Sequence, residues 1–141
     1  TLGMEVIGYD PALSVEAAWR LSSKVVKADS LSALFARSDY ITLHLPVLDS
    51  TRGLINAELL GAMKNDACLL NFARQEIVNE DDLLAALEAN KLRRYIADFP
   101  SPALIGRDDV ILMPHIGAST DEADIASEDV LNHRKVATNC A

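Results

Sequence analysis

Short apolar runs, rich in Val, Ile and Leu and separated by polar stretches, constrain the fold of this sequence more than any other feature. Within each run the apolar residues follow one another without alternation, which is typical of parallel strands that helices cover on both faces. Because helix-start signals lie between the runs, the order predicts an α/β fold with a doubly wound parallel sheet. The predicted strands are 5–9, 24–26, 40–43, 68–71, 95–98 and 110–113.

Residues that favour helix starts lie in the gaps between the predicted strands. Serine and asparagine side chains there can accept a hydrogen bond from the first turn of a helix. Asn90 suits a left-handed helix exit, and Ser119 with Glu122 forms a capping box that predicts a last helix from about residue 120. The other predicted helices are 31–37 after Ser30, 57–63 after Asn56, and a helix from residue 80 after Asn79.

Composition narrows the classes of function. Half of the 141 residues are apolar, which is enough to build the core of one domain. The net charge of −8 repels nucleic-acid phosphates, so we expect no nucleic-acid partner. No run is long enough for a membrane span and no signal peptide is evident, so we expect no membrane association and a cytoplasmic location. Cys68 and Cys140 match no ligand spacing, and neither a metal site nor a disulfide is expected.

Asp10 directly follows the first predicted strand. An acid at the carboxyl end of such a strand binds the adenosine ribose in dinucleotide-binding folds. The competing interpretation is a plain turn, because Asp before Pro11 favours one in any fold. The glycine-rich phosphate loop should lie roughly 20 residues before the acid. Only nine residues precede Asp10, so either the first strand and the loop are missing from the chain or the chain is not a dinucleotide binder.

Two predicted loops at the carboxyl edge of the sheet carry side chains suited to catalysis. Arg74 follows strand 68–71, and a guanidinium can bind a carboxylate through two parallel hydrogen bonds. The alternative is a surface arginine paired with Glu76 or Asp98. His115 follows the last predicted strand, and an imidazole exchanges protons near neutral pH. The alternative is a histidine that is only hydrogen-bonded at a strand end.

Five short motifs in fixed order carry a resemblance to a known family. In this order and spacing they resemble the D-2-hydroxyacid dehydrogenases over about residues 2–123, and within that family the D-3-phosphoglycerate dehydrogenase branch is most similar. Together the motifs are more specific than any one of them. They are Val6-Ile7-Gly8-Tyr9-Asp10-Pro11, His44-Leu45-Pro46, Asn71-Phe72-Ala73-Arg74, Asp98-Phe99-Pro100 and Pro114-His115-Ile116-Gly117-Ala118-Ser119-Thr120.

The resemblance implies a Rossmann-like sheet, NAD as cofactor, and a 2-hydroxy or 2-keto acid as substrate, with 3-phosphoglycerate of serine biosynthesis favoured. At matching positions it implies that Arg74 binds the substrate carboxylate. His115 is implied to protonate the keto oxygen as hydride arrives from NADH. Asp10 is implied to bind the ribose and Asp98 the nicotinamide carboxamide. The full set of implied cofactor-binding residues is Asp10, Pro46, Phe72, Ala73, Arg74, Asp98, His115, Gly117 and Ala118.

Two residues depart from the family's pattern. Gln75 stands where a glycine usually follows the arginine, so we expect Arg74 to be aimed differently. Ala103 stands five residues after Asp98, where the family carries a glutamate that pairs with the catalytic histidine. We therefore expect reduced turnover or a lower pH optimum, unless another acid takes the place of that glutamate.

The resemblance also implies a domain organisation. Residues 1–118 are expected to form a partial NAD-binding domain, and residues 119–141 a helix leading back toward an absent substrate domain. The chain is then part of a longer protein, inactive alone, whose relatives usually form homodimers. Two other functions stay open. One is a catalytically impaired NAD-sensing or partner-binding module of the same fold, which Gln75 and Ala103 favour, and the other is an unrelated α/β interaction domain.

Overall fold

The computed structural model of the chain describes residues 3–116. Gly117, Ala118, Cys140 and the predicted helix from residue 120 lie outside the described residues. Strands and helices alternate along the described part. The strands are β1 Val6–Gly8, β2 Val25–Lys27, β3 Tyr40–Leu43, β4 Cys68–Asn71, β5 Arg94–Ala97 and β6 Val110–Leu112. The helices are α1 Val15–Ala18, α2 Leu31–Arg37, α3 Ala57–Ala62 and α4 Glu80–Glu88, with a 3₁₀ turn at Gln75–Ile77.

All six predicted strands form, and every strand pair in residues 3–116 is parallel. This confirms the predicted α/β class and its parallel, Rossmann-like strands. β1 and β2 form a two-stranded sheet, while β3, β4, β5 and β6 form a four-stranded sheet in chain order. In the strand order of dinucleotide-binding folds, the first strand lies between the second and the fourth. A strand in that position would lie between β1 and β3, where the two described sheets separate.

The predicted capping residues within residues 3–116 stand at helix starts, whereas Ser119 lies outside the described residues. Their side-chain oxygens accept hydrogen bonds of 3.1–3.2 Å from backbone N–H groups in the first turn. Asn90 ends α4 in the left-handed region with φ of 52°, as predicted. These local bonds fix where the helices start and stop. The pairs are Ser30 with Ala33, Asn56 with Leu59, and Asn79 with Asp82.

Two short elements were not predicted from the sequence. Ser14 caps α1, a helix of four residues that buries none of them, so it shows no apolar periodicity. The second element is the 3₁₀ turn at Gln75–Ile77, which is shorter than one full repeat of any helical pattern. α1 is held by local hydrogen bonds and buries no side chain, whereas the 3₁₀ turn also buries Ile77 in the core.

The hydrophobic core joins the four-stranded sheet to α2, α3 and α4. Burial of one large apolar side chain in this core stabilises the fold by about 1.5–3 kcal/mol. A polar contact adds to the packing, because the carboxylate of Asp82 in α4 accepts a hydrogen bond from the backbone N–H of Ala57 at the start of α3, at 2.9 Å. The largest fully buried apolar side chains are Phe35, Ile55, Leu60, Leu69, Ile77 and Leu83.

Candidate active site

The strands of the four-stranded sheet end at a common level. Their last residues lie side by side in the pairing register, in a row that we call the terminal row: Leu43, Asn71, Ala97 and Leu112. Because all four strands are parallel, the loops that follow this row leave from one edge of the sheet. Six residues predicted to form the site lie on those loops: Pro46, Phe72, Ala73, Arg74, Asp98 and His115.

Asn71 builds the turn that carries Arg74. Its side chain is fully buried, and its amide nitrogen donates to the carbonyl of Arg74 at 2.9 Å and to the hydroxyl of Tyr95 at 3.3 Å. Its amide oxygen accepts from the backbone N–H of Ala73 at 3.2 Å. The sequence showed Asn71 only as part of a motif. The signal that could have revealed its role is a polar residue at the end of an otherwise apolar strand.

Arg74 is exposed and makes only a local contact. Its Nη1 donates to the carbonyl of Ala73 at 2.7 Å. The ion pairs within residues 3–116 do not include Arg74, so the alternative pairing with Glu76 or Asp98 is not seen. An arginine carries five N–H donors, and this arrangement leaves most of them for a ligand.

Gln75 begins the 3₁₀ turn after Arg74. In the described part of the chain Asn90 is the one residue other than glycine with positive φ, so Gln75 has an ordinary backbone conformation. The glycine that the family usually has here is therefore not needed in this chain. The expectation that a side chain at position 75 aims Arg74 differently stays a prediction.

Asp98 and His115 form a close pair. Nδ1 of His115 lies 2.8 Å from Oδ2 of Asp98. The Asp98 side chain is only 12% exposed, whereas that of His115 is 58% exposed. The ring of Phe99 lies beside the imidazole, with 5.0 Å between centroids. Sequence reasoning identified both residues but did not predict their contact.

The other carboxylate oxygen of Asp98 is buried and, within residues 3–116, has no hydrogen-bond partner. A buried acceptor without a donor is unfavourable, and native structures rarely leave one unexplained. At the carboxyl edge of a parallel sheet, where ligands bind in open α/β folds, an N–H group of a ligand is a fitting partner.

Asp10 stands in an Asx turn beside an open groove. Its Oδ1 accepts a hydrogen bond from the backbone N–H of Ala12 at 2.9 Å. The interpretation of Asp10 as a turn residue therefore accounts for one of its two carboxylate oxygens. The described hydrogen bonds do not involve Oδ2 of Asp10. The groove, about 1100 Å³ in volume, runs from Asp10 past Trp19 to Asp29. It is large enough for a cofactor-sized molecule.

The remaining predicted cofactor-binding residues have ordinary environments. Pro46 is exposed, and its carbonyl accepts from the hydroxyl of Thr51 at 2.7 Å, which closes the loop after β3. Phe72 is exposed, whereas Ala73 packs against the core. Gly117 and Ala118 lie outside the described residues.

Residues 3–116 contain no group of three or more His, Cys, Asp or Glu side chains that could hold a metal ion. Cys68 is a buried free thiol. No helix within this range has the length and apolar character needed to cross a bilayer.

Comparison with known proteins decides the family. The family model of the D-isomer specific 2-hydroxyacid dehydrogenase NAD binding domain matches residues 1–117 of the 141. The chain belongs to this family. It is 37% identical over 130 residues to a D-3-phosphoglycerate dehydrogenase of Synechocystis sp., a match that covers 88% of this chain and 23% of that enzyme.

Solved structures of D-2-hydroxyacid dehydrogenases share the fold. The apo form of Rhodotorula graminis D-mandelate dehydrogenase has a TM-score of 0.79 and 32% identity, over 92% of this chain and 39% of that one. Lactobacillus jensenii D-lactate dehydrogenase with NAD⁺ has a TM-score of 0.73 and 27% identity, over 92% of this chain and 45% of that one. The chain spans about a quarter of the length of the D-3-phosphoglycerate dehydrogenases it matches.

NAD is the cofactor of this family, and the residues at the sheet edge fit its nicotinamide end. The carboxamide of nicotinamide offers N–H donors, and the buried, unpartnered Oδ1 of Asp98 is an acceptor for one of them. Asp10, at the end of β1, has a second oxygen for a ribose hydroxyl. The sequence of this chain does not contain the glycine-rich loop that binds the pyrophosphate. The described residues therefore fit the nicotinamide and adenosine ends of the cofactor, and not its pyrophosphate.

Proposed function

We propose that this chain supplies the NAD-binding side of the active site of a D-2-hydroxyacid dehydrogenase, within a longer protein that reduces a 2-keto acid or oxidises the matching 2-hydroxy acid. One observation carries the proposal. Arg74 and the Asp98–His115 pair follow adjacent strands whose ends share the terminal row. A carboxylate-binding group and a proton-exchanging group at one sheet edge are the two functions that such a substrate requires.

The residues divide the chemistry between them. Arg74 binds the substrate carboxylate with its free N–H donors and polarises the neighbouring carbonyl. His115 gives a proton to the carbonyl oxygen during reduction, or takes the hydroxyl proton during oxidation. Asp98 accepts a hydrogen bond from the carboxamide, which orients the nicotinamide ring. NAD(H), when bound, supplies or accepts the hydride.

For the substrate we propose 3-phosphoglycerate, with phosphohydroxypyruvate as its keto form, which assigns the longer protein to serine biosynthesis. The similarity to a D-3-phosphoglycerate dehydrogenase supports this choice. Mandelate and lactate, for which other relatives are named, carry the same acid group next to the reacting carbon, so Arg74 and His115 do not by themselves select among the three substrates. We propose that the group that binds the substrate phosphate belongs to a substrate domain of the longer protein. Four further expectations stay predictions. They are a partial NAD-binding domain over residues 1–118, a helix over residues 119–141, a homodimer and a cytoplasmic location.

Two measurements on the longer protein test the proposal. Titration with NADH is expected to change the cofactor's fluorescence, and NADPH to bind more weakly because Asp10 repels a 2′-phosphate. Oxidation of NADH should then depend on phosphohydroxypyruvate, with pyruvate as a matched keto acid that lacks the phosphate. Unchanged NADH fluorescence contradicts the proposal.

The second candidate is a catalytically impaired NAD-sensing module. It is favoured by Ala103, which removes the carboxylate that the family pairs with its histidine. NADH binding without turnover of any 2-keto acid is the result that would select it over the dehydrogenase.

A further inference from the structure

The imidazole of His115 needs a partner that fixes its orientation and its protonation pattern. Histidine has two ring nitrogens, and the hydrogen bond made by one decides which atom is free for chemistry at the other. Position 103 offers only the methyl group of an exposed alanine. Within residues 3–116 the carboxylate in contact with the ring is that of Asp98.

We infer that Asp98 is the positioning residue of His115 in this chain and takes the place of the absent carboxylate at position 103. The inference rests on the proposed function. It gives one side chain two tasks, because Oδ2 holds the imidazole while Oδ1 stays available for the cofactor.

The backbone holds the two residues together. Asp98 directly follows Ala97, and the carbonyl of Ala97 accepts from the N–H of Met113 at 2.9 Å. This bond ties the segment that leads to His115 to the strand that ends at Asp98. Since the Asp98 side chain is almost buried, it cannot change rotamer as freely as an exposed carboxylate. The exposed imidazole therefore has a fixed partner.

The contact also assigns the proton. An ionised carboxylate only accepts hydrogen bonds, so Nδ1 of His115 must donate to Oδ2 of Asp98. In the neutral ring the lone pair then lies on Nε2, which makes Nε2 the atom that exchanges a proton with the substrate oxygen. Without the carboxylate, the neutral ring can also carry its hydrogen on Nε2. In that tautomer Nε2 has no lone pair with which to accept the substrate proton.

The first test is NMR of the ¹⁵N-histidine-labelled chain above neutral pH, where protonated and bare ring nitrogens have distinct shifts. His115→Gln identifies the His115 signals. We expect the Nδ1–H tautomer in the wild-type chain and loss of that preference in Asp98→Asn. Asp108→Asn is the matched control, since it removes an exposed charge on the same loop, and it should leave the signals unchanged. An Nε2–H tautomer in the wild-type chain, or no change in Asp98→Asn, overturns the inference.

The second test measures kinetics in the longer protein. Asp98→Asn is expected to lower kcat by about 100-fold or more while the KM for the keto acid changes little, because the carboxylate orients the base and does not touch the substrate. Asp108→Asn should retain the wild-type kcat. Equal kcat values for the two variants contradict the positioning role. The NMR result needs neither cofactor nor substrate, so it separates failure of this inference from failure of NADH binding, which would contradict the proposed function.

Discussion

The side chains of Asn71 and Tyr95 meet inside the core, where the amide nitrogen of Asn71 donates to the Tyr95 hydroxyl at 3.3 Å from the neighbouring strand. The same amide holds the turn that carries Arg74. Burial raises the pKa of the Tyr95 phenol above its ordinary value, and the hydrogen bond from Asn71 partly offsets that rise. The stability of the core and the placement of a proposed substrate-binding group thus depend on one amide.

Replacement of Asn71 by alanine is expected to lower the free energy of unfolding by about 2–3 kcal/mol, since it leaves the buried Tyr95 hydroxyl and the part-buried backbone groups of Ala73 and Arg74 without their bonds. Urea unfolding followed by circular dichroism measures the change. Tyr95→Phe removes only the hydroxyl and should cost less than about 1 kcal/mol. Equal losses in the two variants would show that the turn bonds of Asn71 contribute nothing.

Acid should weaken the start of β6. Two hydrogen bonds of 2.9 Å from the Arg107 guanidinium hold the pKa of Asp109 below its ordinary value. A lowered pKa in the folded state means that the stabilisation is present above about pH 4 and is lost as pH falls through the folded value. The two side chains are 24% and 31% exposed, so screening limits the contribution to about 0.5–1 kcal/mol.

Asp109→Asn is accordingly expected to lose that amount at pH 7 and to show a flatter decline in stability between about pH 4 and pH 2. Urea midpoints across this range measure it, with Asp108→Asn as the control that keeps the Arg107 pair. A decline of the same slope in wild type and Asp109→Asn would assign the acid sensitivity to other groups.

Arg74→Lys in the longer protein should raise the KM for the keto acid by about tenfold to 100-fold, because an ammonium cannot make the two parallel hydrogen bonds of a guanidinium. Affinity for NADH should stay within about twofold. Arg37→Lys, at the exposed end of α2 just before β3 begins, is the matched control. Steady-state kinetics provide both constants, and an unchanged KM in Arg74→Lys would remove Arg74 from the substrate site.

Ala103→Glu tests whether His115 needs a carboxylate at position 103 in addition to that of Asp98. Because Asp98 already contacts Nδ1 of His115, the added glutamate is expected to change kcat by less than about threefold and to leave the pH–rate profile in place. A tenfold gain would mean that Asp98 does not serve His115 adequately. Ala103→Gln, of similar size but without charge, separates the effect of the carboxylate from that of bulk.

The sequence predicts those features of this fold that depend on neighbours along the chain. The caps at Ser30, Asn56 and Asn79 are bonds across three residues, and the strands are short apolar runs, so local patterns reveal them. The four-residue helix α1 has no buried residue and leaves no such pattern.

The site was predicted as a set of residues and not as a geometry. Motif order identified Arg74, Asp98 and His115, but the contact between Asp98 and His115 spans seventeen positions and depends on the register of β5 with β6. That register follows from core packing and strand pairing, which a single sequence does not display. The sequence predicts reduced turnover from Ala103 unless another acid takes the place of the glutamate, and Asp98 is the acid in contact with His115.

The level ending of β3, β4, β5 and β6 has an evolutionary consequence. Since each loop beyond the terminal row starts from a fixed anchor, a loop can change in length or composition without shifting the others. Exchanges such as those at positions 75 and 103 are then local events, and one scaffold can accommodate new combinations of side chains while its interior stays the same.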